Sequence, residues 1–355
     1  MVRLWEILID VYVCSLVSCR PTYGLISRDG VIPVSYTQDT VGPIARCVRD
    51  VATVLTVMAG IGADDDDPAT KISDRPLRSI DYDDNITQTS LKGLRLGMLE
   101  AALTSYPDPE QIPVQQALES TIISLENAGA VMVRVISREY FAPRLLATLD
   151  TQRHEYREVL NKYLDRSDID GTYPKDFAEL YASDDFLVIP AQYEYIITAG
   201  TASTSDEEHR DRKAGIAKLK ESLHATFDRL NLDAIIYPQQ RCLPVKVGSS
   251  SQQHRHGILA ALVGFPSVCV PMGFSAPSAD ASRGVPIGME ILGRPWSEEK
   301  LLQIAYQVEQ LMQVRRPPEI AEIGGGGASP LPNQVPEMSP STEGIPKAYS
   351  LGVLR

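Results

Sequence analysis

The side chains that could carry chemistry in this chain are few, and most stand alone. The five cysteines (Cys14, Cys19, Cys47, Cys242 and Cys269) form no CxxC pair. An odd, dispersed set in so long a chain reads as reduced thiols in a cytoplasmic protein, and neither a zinc knuckle nor a dithiol redox centre is expected. The five histidines offer no HExxH. His254 and His256 flank Arg255 with no thiolate or carboxylate cluster beside them, which reads as a polar helix start and not as a metal pair. Asp64–Asp67 sets four carboxylates in a row. Calcium loops space their ligands at alternate positions, so this run reads as a solvated loop tip. Gly248-Ser249-Ser250-Ser251 is a serine-rich turn with one glycine. A nucleophile elbow needs G-x-S-x-G between strand and helix and a base nearby, so a plain loop is the better reading. No metal and no cofactor is expected.

The elements that must position such residues follow from hydrophobic patterning. The chain has 355 residues, 43% of them hydrophobic, which is ample for a sizeable core. Its net charge of −12 comes without a Lys/Arg stripe, so nucleic acid is not an expected partner. The apolar run Val11–Cys19 is too short to span a bilayer. Glu6 and Asp10 precede it where a signal peptide wants positive charge, so it reads as a buried strand or helix, and no membrane association is expected. A helix is predicted over Pro43–Ala59, with Ile44, Val48, Val51 and Leu55 on one face. Strands Leu94–Leu99 and Ala130–Ile136 flank a helix carrying Val114, Leu118, Ile122 and Leu125, a β-α-β unit that joins parallel strands. Helices follow at Pro143–Leu164, Pro174–Tyr181, Ile189–Ala202 and Glu207–Leu230. The aromatic residues between Tyr156 and Tyr195 read as helix packing. Strands are then predicted at Leu232–Tyr237, Ser267–Val270 and Val285–Leu292, with a short helix at His256–Val263. Ser297 is predicted to cap a final helix that buries Leu301, Leu302, Ala305, Val308 and Met312. The alternation of helix and strand indicates an α/β protein. Beyond Pro317 the composition turns to Gly, Pro and Ser, which predicts a disordered tail.

Two stretches say more. Arg20–Asp50 reads RPTYGLISRDGVIPVSYTQDTVGPIARCVRD. Its Arg20-Pro21-Thr22, Gly24, Ser27-Arg28, Gly30, Pro33, Asp39, Gly42-Pro43, Arg46 and Asp50 resemble the segment after the catalytic core of amidase-signature enzymes, fungal amidases in particular. Leu232–Pro238 with Ala261, Gly264, Pro266 and Pro271, then Pro286, Gly288, Gly293 and Leu301-Leu302, is similar to that family's closing passage. The resemblance implies an amidase-signature fold, a mixed β-sheet core covered by helices on both faces, here missing its N-terminal portion. It divides the chain into a non-family segment 1–19, a partial amidase-signature domain 20–318 and a tail 319–355.

The resemblance also implies a chemistry. Family members cleave a carboxamide C–N bond to acid and ammonia with a serine nucleophile, a bridging serine in a cis peptide and a lysine base. A serine hydroxyl needs such a base at neutral pH, and a desolvated lysine can serve. In the family these residues precede the Arg-Pro-Thr segment. Here the nineteen residues before Arg20 hold no glycine, and no lysine precedes Lys71. No catalytic residue is therefore assigned, and the chain is expected to be inactive as it stands. The alternative is a non-catalytic binding or assembly partner derived from an amidase. Tyr36 and Asp39 are assigned to the substrate-binding pocket, with Asp39 expected to pair with Arg46 or Asp50. Gln239-Gln240 departs from the family's usual Pro-Thr. A small-molecule amide is the expected ligand, and apolar faces left uncovered would favour a homo-oligomer or other association.

Overall fold

Alternation along Ala234–Pro238 (β5) sets the layering: Ala234 and Ile236 enter one hydrophobic core, Ile235 and Tyr237 the other. In this computed structural model the described residues are 14–71, 80–103, 108–182, 192–245, 256–279 and 281–316. The readings made for residues 1–13, for Ser249–Ser251, for His254 and for the tail lie outside them.

The strands Val17–Arg20 (β1), Ile44–Ala45 (β2), Arg95–Leu99 (β3), Val131–Val135 (β4), β5, Ser267–Phe274 (β6) and Pro286–Leu292 (β7) form one sheet in the order β2-β1-β6-β7-β5-β3-β4. β3 runs parallel to β4 and β5; β7 pairs antiparallel with β5 and β6, and β1 antiparallel with β6 and β2. The sheet is mixed, and helices cover both faces. Val48–Ala59 (α1), Ile112–Asn127 (α2) and Glu298–Met312 (α9) supply one core. Ala142–Leu149 (α3), Glu207–Leu230 (α7) and Ile258–Val263 (α8) supply the other. Gln152–Leu164 (α4), Phe177–Ala182 (α5) and Tyr193–Thr201 (α6) build a satellite cluster around Tyr156, Phe177 and Tyr181, into which Val34 reaches. The aromatic rings there pack on one another, Tyr156 edge-on to Phe177 at 5.6 Å between centroids.

Three local readings need correction. Ile44 is not on a helix; it pairs with Ser18 in β2, its side chain 43% exposed, and the helix starts only at Val48. A strand partner for β1 outweighs the local helical period there. The predicted Pro143–Leu164 helix is two helices, interrupted at Asp150-Thr151. Ser297 does not cap α9 with its hydroxyl, which donates instead to the Arg294 carbonyl at 2.6 Å.

Two glycines fasten the segment that follows β1. A Cβ on Gly42 would lie 2.0 Å from the Cys19 carbonyl oxygen, so only glycine lets the chain turn back beside β1. Gly264 ends α8 in the left-handed region (φ +69°), and its carbonyl accepts from Tyr23 N at 3.0 Å.

Candidate functional site

Residues 34–39 form a turn closed at its centre by Asp39. Asp39 Oδ2 accepts from Val34 N (2.7 Å) and Ser35 N (2.8 Å), and Asp39 N donates to Ser35 O (3.1 Å). This is why an aspartate suits the position: a carboxylate satisfies two backbone donors at once. Asp39 makes neither an ion pair with Arg46 nor a loop-to-helix bond at Asp50. Arg46 is exposed, and the charges facing Asp39 are those of Arg28 and Arg20. Burial pushes the Asp39 carboxyl up to about 6, against those N–H donors and arginines.

Outside contacts fix the turn on every side. The carbonyl of Tyr36 accepts from Tyr23 Oη (2.8 Å) and Arg28 Nη1 (3.0 Å). Arg20, buried in β1, donates to the Gln38 carbonyl at 2.6 Å. Gln38 Nε2 donates to Asp150 Oδ1 (2.8 Å) and Thr151 Oγ1 (3.2 Å), the two residues at the α3–α4 break. The interruption of that helix is thus part of the site. Ser35 Oγ and Thr37 Oγ1 both donate to the buried Glu155 of α4 at 2.5 Å.

The backbone of Tyr36 is fixed while its side chain, 46% exposed, stands in a half-open cleft of about 130 Å³. Tyr36, Asp39 and the 28–33 stretch form one wall; Val159, Lys162, Tyr163 and Arg166 form the other. Lys162 Nζ donates to Tyr36 Oη at 3.1 Å. Arg28 grips Asp67 with two bonds, Nη2–Oδ1 at 2.7 Å and Nε–Oδ2 at 2.9 Å, and Arg166 grips Asp29. Burial works against the charge on Arg28, but the Asp67 bonds more than offset it and raise its pKa. The Asp64–Asp67 run is therefore only in part a solvated tip. Asp65 and Asp66 face water, whereas Asp67 is buried against Arg28, and Asp64 accepts from Ser27 Oγ at 2.5 Å.

Behind the turn lies a buried polar cluster at the strand ends. Glu290 on β7 stands opposite Tyr237 of β5 and Cys269 of β6. Burial raises its pKa, against the hydroxyls of Ser267 and Tyr237 and the charge of Arg20. Burial also lowers Arg20 to about 10. Ser18 Oγ, Arg20 Nε and both atoms of the Gln239 amide are buried without a hydrogen-bond partner among the described residues. His256 Nδ1 is 2.7 Å from the Pro238 carbonyl and, among the described residues, takes no part in a metal cluster. Burial pushes the thiols of Cys19 and Cys269 well up, so both are protonated packing groups and not nucleophiles.

The resemblance pointed to Tyr36 and Asp39, which both line this cleft, and left Arg28, Lys162, Arg166 and Glu155 unassigned. Arg28 lay inside the matched segment; the other three lie in the helical middle, where no motif marked them. Among the described residues no helix is long and apolar enough to cross a membrane.

The profile of the family described as Amidase matches residues 12–302. A probable amidase of Arabidopsis thaliana is 29% identical over 308 residues, covering 86% of this chain and 54% of that protein. A component of the glutamyl-tRNA(Gln) amidotransferase of Thermodesulfovibrio yellowstonii is 27% identical, covering 84% of this chain and 60% of that one. Among solved structures, the native peptide amidase of Stenotrophomonas maltophilia superposes with a TM-score of 0.73 at 30% identity, over 88% of this chain and 62% of that chain. The chain thus spans little more than half the length of the curated relatives it matches.

Proposed function

The chain belongs to the amidase family, and from that premise we propose that it carries the substrate side of a site for carboxamides. The observation that carries the reading is that the segment Arg20–Asp50 builds the turn and one wall of the cleft. In this reading the amide carbonyl accepts from Tyr36 Oη, whose donor strength the Lys162 ammonium raises. Asp39 Oδ2 is occupied by backbone, which leaves Oδ1 to accept from the amide N–H. The unpartnered Gln239 amide and Arg20 Nε supply further polar groups behind the turn, of the kind that ligands or water satisfy at active sites. The peptide amidase relative makes peptide carboxamides part of the class to be tried.

In this reading the groups of the cleft bind the amide and none of them is assigned a bond-breaking step, and a role as a binding or assembly partner is the second reading. Ammonia release from a panel of aliphatic, aryl and peptide amides tests this on the purified chain, with folding checked by circular dichroism. The expected result is binding without turnover. Tyr36→Phe should weaken binding about tenfold by removing one hydrogen bond assisted by charge. Turnover would overturn the inactive reading and make Ser249–Ser251 the first residues to mutate.

A further inference from the structure

Glu155 is the buried hub of the 34–39 turn. Its carboxylate, 2% exposed, accepts from Ser35 Oγ and Thr37 Oγ1 at 2.5 Å and from Thr37 N at 3.0 Å. A fourth contact comes from α7: His209 Nε2 lies 3.0 Å from Glu155 Oε1. The other ring nitrogen of His209, Nδ1, lies 3.0 Å from the Thr204 carbonyl oxygen. A carboxylate and a carbonyl are both acceptors only. A neutral imidazole has a single N–H, so it would leave one nitrogen lone pair facing an oxygen lone pair. Only the imidazolium, with both nitrogens protonated, satisfies the two contacts together.

We infer that His209 acts as an imidazolium clamp on Glu155, and that this pair positions the Ser35–Asp39 turn for amide binding. The inference rests on the reading that Tyr36 and Asp39 contact the amide. The clamp itself is independent of that reading.

The surroundings fit the assignment. On α4, Glu158 accepts from Thr204 N at 2.9 Å and from Thr204 Oγ1 at 2.6 Å, which fixes the carbonyl that His209 addresses. His154, its ring 5.9 Å from that of His209, turns to Asp206 (3.3 Å) and Glu208 (3.8 Å) and leaves Glu155 to His209. From α7, Lys213 Nζ donates to Thr37 Oγ1 at 3.0 Å, a further cation on the same turn. Burial opposes charge on Glu155, but its bonds to Ser35, Thr37 and His209 outweigh that and hold its carboxyl below the usual range. When His209 loses a proton, one contact becomes lone pair against lone pair. The buried carboxylate then loses its charged donor, and the turn loosens. Glu155 lies 120 residues from Ser35 and 54 from His209, so no local motif announces the arrangement.

The test is nuclear magnetic resonance on the isotope-labelled 355-residue chain, titrated from acid to alkaline pH. Both ring nitrogens of His209 should be protonated at the acid end. The Thr37 amide, which donates to Glu155, should then move with the same midpoint as the ring, whereas the Ser35 amide also follows the Asp39 carboxyl to which it donates. Binding of benzamide should weaken about tenfold across that midpoint, the scale of one hydrogen bond to a charged group. His209→Gln keeps a donor for Glu155 without a titrating ring. It should retain the acid-form Thr37 amide signal and remove the His209 step from benzamide binding, leaving only the step of Asp39 near pH 6, whereas His209→Ala should lose the Thr37 signal and bind weakly. A Thr37 amide that ignores the ring, or a His209→Gln chain that keeps the whole of the wild-type pH-dependence, would overturn the clamp. If His209→Ala fails to fold, the glutamine variant alone decides. If the wild-type chain binds no amide at any pH, the proposed substrate reading fails, while the ring and amide titrations still decide the clamp.

Discussion

Asp39 holds the backbone of its own turn, and its ionisation bears on stability. Its pKa is 3.8 unperturbed and about 6 in the fold. A carboxyl whose folded pKa is raised takes up a proton on folding. Its contribution to stability is therefore largest below about pH 4 and is lost as pH rises towards about 6, by up to about 3 kcal/mol. Asp39→Asn keeps an oxygen for Val34 N and Ser35 N and removes the titration. Urea unfolding at a series of pH values should show wild type losing stability relative to D39N between about pH 4 and 6, then levelling off. Parallel curves for the two proteins would mean that Asp39 titrates as if exposed.

At the scale of elements, the corner between β1 and β2 shows how little freedom the site's scaffold has. Cys19 N donates to the Pro43 carbonyl at 3.1 Å, and Gly42 lies against the Cys19 carbonyl. Gly42→Ala would place a methyl carbon inside the contact distance of a backbone atom that cannot rotate away. It should cost about 3 kcal/mol, at the upper end for overpacking. Gly62→Ala meets nothing within 4 Å and carries only the strain of φ +85°, so it should cost about 1 kcal/mol. Denaturant midpoints of the two variants test the contrast, and equal losses would contradict it. The same scale shows what patterning can read. The predicted bounds Glu207–Leu230 of α7 are those observed, because a long apolar stripe of Ile216, Leu219, Leu223 and Phe227 fixes its face. The Asp150-Thr151 interruption was not legible. Asp150 there caps Gln152 N and also accepts from Gln38, 112 residues away.

For the whole molecule, the question is what covers its remaining apolar surface. Val54 and Val57 of α1 and Ile61 just beyond it lie on one side, 43%, 71% and 72% exposed, while Val48, Val51, Ala52 and Leu55 fill the core. Exposed apolar stripes favour association. Sedimentation velocity should show the chain associating as concentration rises. Replacing Val54 and Val57 by lysine should shift it towards monomer with little change in unfolding midpoint. A wild type that stays monomeric throughout would refute the idea.

The sequence alone determined the α/β class, the course of most strands and helices, and the family, because these depend on local periodicity and on the contiguous segment from Arg20 to Asp50. It also placed Tyr36 and Asp39 within one short segment. Only the tertiary structure decided which partners those residues have. The matched segment is polar, and a polar side chain's partner is set by whatever the fold brings within about 3 Å. Arg28 could meet Asp67 only once the 64–67 loop had folded back. Glu155 could meet both Ser35 and His209 only after three distant segments had packed together. Hydrophobic periodicity is written in neighbouring residues. Charge pairing is written across the chain, in the final geometry.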